Sequence, residues 1–213
     1  MARKKYWKLE YSIALFFMLG TILLMMPVSI ENTRQANFIS KWNEKYNRVD
    51  YVFQVINAHI TGELLTSFNK AKTPQEREKL LLQIVKPYLR LNTEQPVSKR
   101  YKVKYMNGNR SYKGKLYNFR EFYYGENNTI VGIKDIKSEK ENDAFFMMMF
   151  DMNGLLPPNC WGKDVFGINI YDGGHIEPFG AQMDMDELKK DCSDIGSGIG
   201  CSYYYKIGGG FDD

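Results

Sequence analysis

A twenty-residue stretch without a charge, YSIALFFMLGTILLMMPVSI from Tyr11 to Ile30, constrains this chain more than any other feature. At about 1.5 Å of rise per residue, a helix of that length matches a hydrocarbon core of roughly 30 Å. Arg3, Lys4, Lys5 and Lys8 precede the run, and a basic cluster on that flank keeps the N-terminal end in the cytoplasm. Pro27-Val28-Ser29-Ile30-Glu31 offers no small-residue cleavage site, which argues against a removed secretory signal. Burial as a core helix explains so long an apolar run poorly in a domain of this size. The expectation is a single-pass protein of the inner (cytoplasmic) membrane, with its N-terminus cytoplasmic and its C-terminal domain extracytoplasmic.

The net charge of +4 is accounted for by the four basic residues ahead of the run, which leaves the remainder close to neutral. That distribution points to topology rather than to a nucleic-acid partner. Hydrophobic and charged fractions of 44% and 25% are ordinary, and indicate neither wholesale disorder nor a multispanning chain. Three cysteines fit an exported protein with one disulfide and one spare thiol.

Beyond Pro27 the pattern becomes amphipathic. Phe38, Trp42, Tyr46, Val49, Phe53, Ile56 and Ile60 recur in steps of three and four, with Lys41, Glu44, Lys45, Arg48 and Asp50 elsewhere around the helix. So broad an aromatic stripe suits packing on a sheet better than a heptad stalk. His59, near its end, reads as a packing or partly solvated residue. A second helix is signalled by Thr73-Pro74-Gln75-Glu76, a capping box with proline at the first helical position. Leu80, Leu81, Ile84, Val85 and Leu89 supply its apolar face, and Pro87 should bend or end it. The expected divisions are a basic leader over 1–9, a transmembrane helix over 10–30, its amphipathic continuation over 31–66 and an α+β domain over 67–213.

From Lys99 the period changes to two. Arg100, Lys102 and Lys104 alternate with Tyr101, Val103 and Tyr105, the pattern of a strand with one solvated face. Met106-Asn107-Gly108-Asn109 signals a hairpin leading to a strand near 111–117. Further strands are expected over 119–124, 129–136, 144–150 and 165–171, and their brief connections imply an antiparallel sheet. The basic residues Lys99, Arg100, Lys102, Lys104, Arg110, Lys113 and Lys115 admit a nucleic-acid surface, with tyrosines for stacking. The preferred reading is a solvated face offset by Glu139, Glu141, Asp143 and the acidic stretch after Asp184.

The N-terminal pattern resembles that of type IV pilins and pseudopilins: a short basic leader, an aromatic first mature residue, a glutamate four residues later, and an apolar helix carrying a proline. Here these positions are Tyr6, Glu10 and Pro27, and the residue before Tyr6 is Lys5 where the family has glycine. The region from Phe150 to Gly180 adds a second match, with Asp151, Asn153, Gly154, Pro158, Asn159, Gly162, Asp164 and Phe166 in the family's order. The resemblance implies an α+β, pilin-like fold, with a long N-terminal transmembrane and amphipathic helix packed on an antiparallel β-sheet. It implies a minor pilin or pseudopilin of a type IV pilus or type II secretion system, found in a cell-surface filament. Its partners would be the membrane, other pilin-like subunits and a prepilin peptidase, and Glu10 would meet a neighbouring subunit's N-terminal amine. The alternative is a permanently anchored extracytoplasmic module that binds a surface ligand or DNA and forms no filament.

Some pseudopilins bind calcium in this C-terminal region, and Asp151, Asn153 and Asp164 are hard oxygen donors; turn chemistry explains the same three residues. Cys192 and Cys201 flank SDIGSGIG, flexible enough to bring the two thiols into disulfide geometry, and such a closed C-terminal loop also resembles pilins. Closing it should stabilise by roughly 2 to 3 kcal/mol. For Cys160 the free, buried and intermolecular states stay open. No enzyme is expected: Gly196-Ser197-Gly198-Ile199-Gly200 lacks the strand and helix that a nucleophile or phosphate motif requires, and His59 and His175 are the only histidines.

Overall fold

A computed structural model describes residues 3–60, 68, 70–108, 117–136, 144–171 and 174–210, with the side chains of 3–8, 26–32 and 59–60 outside the description. Helix α1 (Arg3–Ile60) is followed by α2 (Pro74–Leu89), β1 (Asn92–Pro96), β2 (Glu121–Tyr124), β3 (Ile130–Asp135), β4 (Ala144–Asp151), β5 (Val165–Tyr171), β6 (Ile176–Pro178), α3 (Met185–Asp191) and α4 (Cys201–Lys206). The chain divides into two units, 1–37 and 38–213.

In the first unit the apolar side chains stand out around the helix, from Leu9 and Tyr11 through Phe16, Phe17 and Leu24 to Met25, and Glu10 is exposed as well. The expected single-pass placement is corrected here. Among the described residues no helix is long and apolar enough to cross a membrane. Along the apolar stretch whose side chains are described, Leu9 to Met25, the large apolar residues are exposed.

The second unit is α+β. Its six strands form one antiparallel meander in the order β1-β2-β3-β4-β5-β6. The central strands are covered on both faces, which is why Phe-Phe-Met-Met-Met-Phe in β4 shows no alternation: every residue from Phe146 to Asp151 is buried. One face carries Val131, Ile133, Phe146, Met148, Phe150, Phe166 and Ile168, and packs with Phe38, Trp42, Val49, Val52, Phe53 and Ile56 of α1 and with Leu81, Val85 and Leu89 of α2. The opposite face carries Ile130, Met147, Met149 and Val165, and packs with Tyr101, Tyr105, Phe119, Trp161 and Phe179.

The α1 stripe thus packs on the sheet as expected, with Val52 an addition and Ile60 outside the described side chains. Trp42 is its anchor. The ring is fully buried, stacks on Phe166 with centroids 5.2 Å apart, and donates from Nε1 to the Ser202 carbonyl at 2.8 Å. The α2 capping box is present, with Thr73 Oγ1 accepting from Glu76 N and Glu76 Oε2 from Thr73 N, both at 3.2 Å. Pro87 sits inside α2, which ends two residues later with Arg90 left-handed at its C-cap.

The strands expected near 119–124, 129–136, 144–150 and 165–171 correspond to β2 to β5. Residues 99–106 differ from expectation. They keep the alternation but form no regular strand, because their neighbours are loops: Lys104 N donates to Asn159 O and Trp161 N to Lys104 O, both at 2.9 Å, and Met106 N donates to Ser197 O at 3.0 Å. A turn does follow, with Gly108 N donating to Tyr105 O at 3.0 Å, while the expected second strand near 111–117 lies almost wholly outside the described residues. Cys192 and Cys201 form a disulfide, with Cα atoms 5.3 Å apart. Cys160 is free and buried, and its burial pushes the thiol up to about 11.

Candidate functional site

The segment from Lys99 to Tyr105 joins two clusters, one facing inward and one outward. The inward cluster lies where β4 ends. Asp151 and Asp164 are both fully buried, and burying carboxylates demands donors. Asp151 Oδ1 accepts from Asn153 N at 3.1 Å and Gly154 N at 2.9 Å, and its Oδ2 accepts from the Tyr101 hydroxyl at 2.8 Å. Asp164 Oδ1 accepts from Cys160 N at 2.7 Å and its Oδ2 from Asn159 N at 2.9 Å. With its amide nitrogen turned towards these acceptors, Asn159 donates to Asp151 Oδ2 at 3.1 Å and to the carbonyls of Gly154 and Leu156 at 2.9 and 2.8 Å. Gly154 is required: its φ is +70°, and a Cβ there would meet the Asn128 carbonyl oxygen at 2.2 Å.

This is the chemistry of a clasp. The two aspartates tie loop 151–164 together and hold Tyr101 down onto it. Asp151, Asn153 and Asp164 are brought together as the sequence expectation for calcium required, yet they do not fit that ion. All four carboxylate oxygens already face N–H or O–H donors, whose dipoles repel a cation. Of the side-chain oxygens of these three residues, Asn153 Oδ1 alone lacks a donor among the described residues, and one amide oxygen does not hold a divalent cation.

Burial, and then the nearby Asp164 charge, push the Asp151 carboxyl up to about 8 from its ordinary 3.8, and burial raises Asp164 also. Burial and the Asp151 charge raise the Tyr101 phenol in turn. A carboxyl raised by folding contributes stability below its unfolded value and loses it as the pH climbs through its folded one. The thermal midpoint of the wild type is therefore expected to fall between pH 5.5 and 8.5. Glu78, raised by burial, acts in the same direction. Asp151→Asn, which keeps the shape and cannot ionise, should flatten most of that slope in a melt series; an unchanged slope would place the titration elsewhere.

The outward cluster is Lys99, Arg100, Lys102 and Lys104, all exposed and lining one hollow. Arg110, Lys113 and Lys115, and the acids Glu139, Glu141 and Asp143 expected to offset them, lie outside the described residues. Of the assembly residues, Glu10 is exposed in α1, while the side chains of Tyr6 and Pro27 are outside the description. His175 sits exposed just before β6, its Nε2 at 3.3 Å from Glu177 Oε1. Sequence reasoning missed the parts that Tyr101 and Asn159 play in the clasp. The one available signal was the apolar-facing register of Tyr101 between two cations.

Compared with family models, curated proteins and solved structures, the chain matches none.

Proposed function

We propose that this chain is a structural subunit of the minor-pilin or pseudopilin kind, belonging to a type IV pilus or type II secretion system, and that it assembles with other pilin-like subunits through the apolar part of α1. One observation carries this reading. From Leu9 to Met25 the helix exposes apolar side chains all round, with Phe16, Leu24 and Met25 each more than 70% exposed. A helix apolar on every side is stable where other apolar surface covers it, and neighbouring helices of the same kind supply that cover. Further support comes from the α1 stripe lying on an antiparallel sheet, the short helix α2 ahead of the sheet, and the C-terminal loop closed by Cys192–Cys201.

Within such a bundle Glu10 would pair with the N-terminal amine of a neighbouring subunit, an ion pair strengthened by the low dielectric of packed helices. That role requires cleavage between Lys5 and Tyr6 to create the amine. Intact mass and N-terminal sequencing of the chain from its native cells test it. The expected result is a start at Tyr6, with or without methylation of the amine. An intact Met1 or Ala2 would remove the Glu10 pairing and the peptidase as a partner. A start beyond Ile30 would remove assembly through α1 altogether.

A further inference from the structure

Lys99, Arg100, Lys102 and Lys104 line a cavity of about 430 Å³. Among the described residues none of the four forms an ion pair with an acidic side chain. Their backbone is fixed from two sides. Lys104 is bridged to loop 159–161 through its own N–H and carbonyl, and Tyr101, three residues earlier, is pinned by its hydroxyl to Asp151. Tyr101 and Tyr105 are only 7% and 6% exposed, so the aromatic rings of this segment are spent on the core and offer no stacking surface. That removes the base-stacking mode by which single-stranded nucleic acid is held.

We propose that this hollow binds a compact multivalent oxyanion, a molecule carrying two or more phosphate or sulfate groups close together. The proposal is independent of assembly through α1. A concave site of this volume lies in the range of small-ligand pockets, whereas a nucleic-acid duplex needs a longer groove or stripe. Convergent cations without an ion pair to any described acidic side chain focus a positive potential inside it. Arg100 supplies a planar fork for two oxygens of one group, and the lysines supply mobile point charges for the others. Because the tyrosine side of the segment is locked, little ordering of the backbone opposes binding.

The test is a calorimetric titration of the full-length chain in a non-ionic detergent with inorganic tripolyphosphate, pyrophosphate and orthophosphate. Tripolyphosphate is expected to bind at least about tenfold more tightly than orthophosphate, and raising the salt from 50 to 300 mM should weaken it by about tenfold. Lys102→Glu with Lys104→Glu should cost at least about tenfold in affinity, whereas Lys189→Glu with Lys190→Glu, the same charge change on exposed residues of α3, should leave it unchanged. The thermal midpoint reports whether the first pair still folds; if it does not, Arg100→Gln and Lys102→Gln singly should each weaken binding several-fold. No heat with tripolyphosphate, or equal losses in the two charge-reversed pairs, would overturn the proposal. So would a duplex oligonucleotide that binds more tightly than tripolyphosphate with an affinity growing with its length, since the surface would then be a nucleic-acid track. A multiply sulfated disaccharide that binds more tightly than tripolyphosphate, with both ligands lost in the same variants, would support the site and identify sulfate as its source.

Discussion

Trp42→Ala should destabilise residues 38–213 by about 3 to 5 kcal/mol, the range for removing a large aromatic from a closed core. Trp42 is fully buried and touches both ends of the unit's construction. Its ring stacks on Phe166 of β5, sits 6.4 Å from Phe150 of β4 and meets Tyr46 edge-on at 5.8 Å. Its Nε1 hydrogen bond ends on the Ser202 carbonyl, and the Ser202 hydroxyl in turn accepts from Gly167 N at 3.0 Å, so one side chain ties α1 to β5 through α4. Trp42→Phe keeps an aromatic ring in place but deletes the donor and part of the volume, and should cost about half as much. Urea denaturation with the disulfide oxidised measures both. A cost below about 1 kcal/mol for Trp42→Ala would mean that α1 contributes little to this core.

Arg77→Met should cost about 3 kcal/mol, because it takes the guanidinium partner from a buried carboxylate. Arg77 holds Asp135 with two parallel bonds, from Nε to Oδ2 and from Nη2 to Oδ1, and the Asp135 side chain is fully shielded from solvent. Beside it, Glu78 Oε1 accepts from Asp135 N at 2.9 Å, so the first turns of α2 grip the last residue of β3 by side chain and backbone together. Arg77→Lys keeps the charge but loses the fork, and should recover only part of the loss. Asp135→Asn added to Arg77→Met removes the buried charge that has lost its guanidinium, so the double variant should be more stable than Arg77→Met alone. Exposed pairs are a useful contrast. Glu126 bridges Arg48 and Arg90 at the surface, where screening leaves little net stabilisation.

Periodicity carried most of the fold. The α1 stripe, the α2 capping box and the strands β2 to β5 are local patterns, written in residues three, four or two apart. β1 was not legible, since Asn-Thr-Glu-Gln-Pro is exposed at every position and has no buried face to betray it. β6 has three residues, too few for a period. Residues 99–105 show the limit from the other side: alternation reports which side chains face in, and it did so correctly for Tyr101 and Tyr105, but it does not report whether the neighbour is a strand or a loop. The uncharged run promised a membrane span from its length in sequence, whereas among the described residues no helix is long and apolar enough to cross a membrane.

The site was legible only as residue types. Asp151, Asn153 and Asp164 carried the right oxygens for a cation, yet the backbone N–H groups that claim those oxygens become neighbours only when loop 151–164 closes. The Arg77–Asp135 pair spans 58 residues and follows no local pattern. Conversely, the basic residues from Lys99 to Lys104 were plain in sequence, while their convergence on one hollow depends on the tyrosines between them being drawn into the core.

The most direct test of assembly through α1 is cysteine crosslinking in native cells, with Leu15→Cys and Leu19→Cys on one face of the exposed helix of the full-length chain. Cys160 is buried and Cys192 and Cys201 are paired, so the introduced thiols dominate the reaction. Oxidation should yield crosslinks to further copies or to other pilin-like chains, and adding Phe16→Glu with Leu23→Glu should abolish them while the Cys192–Cys201 unit stays folded. Only monomeric chain after oxidation, or crosslinks indifferent to the two glutamates, would contradict the account.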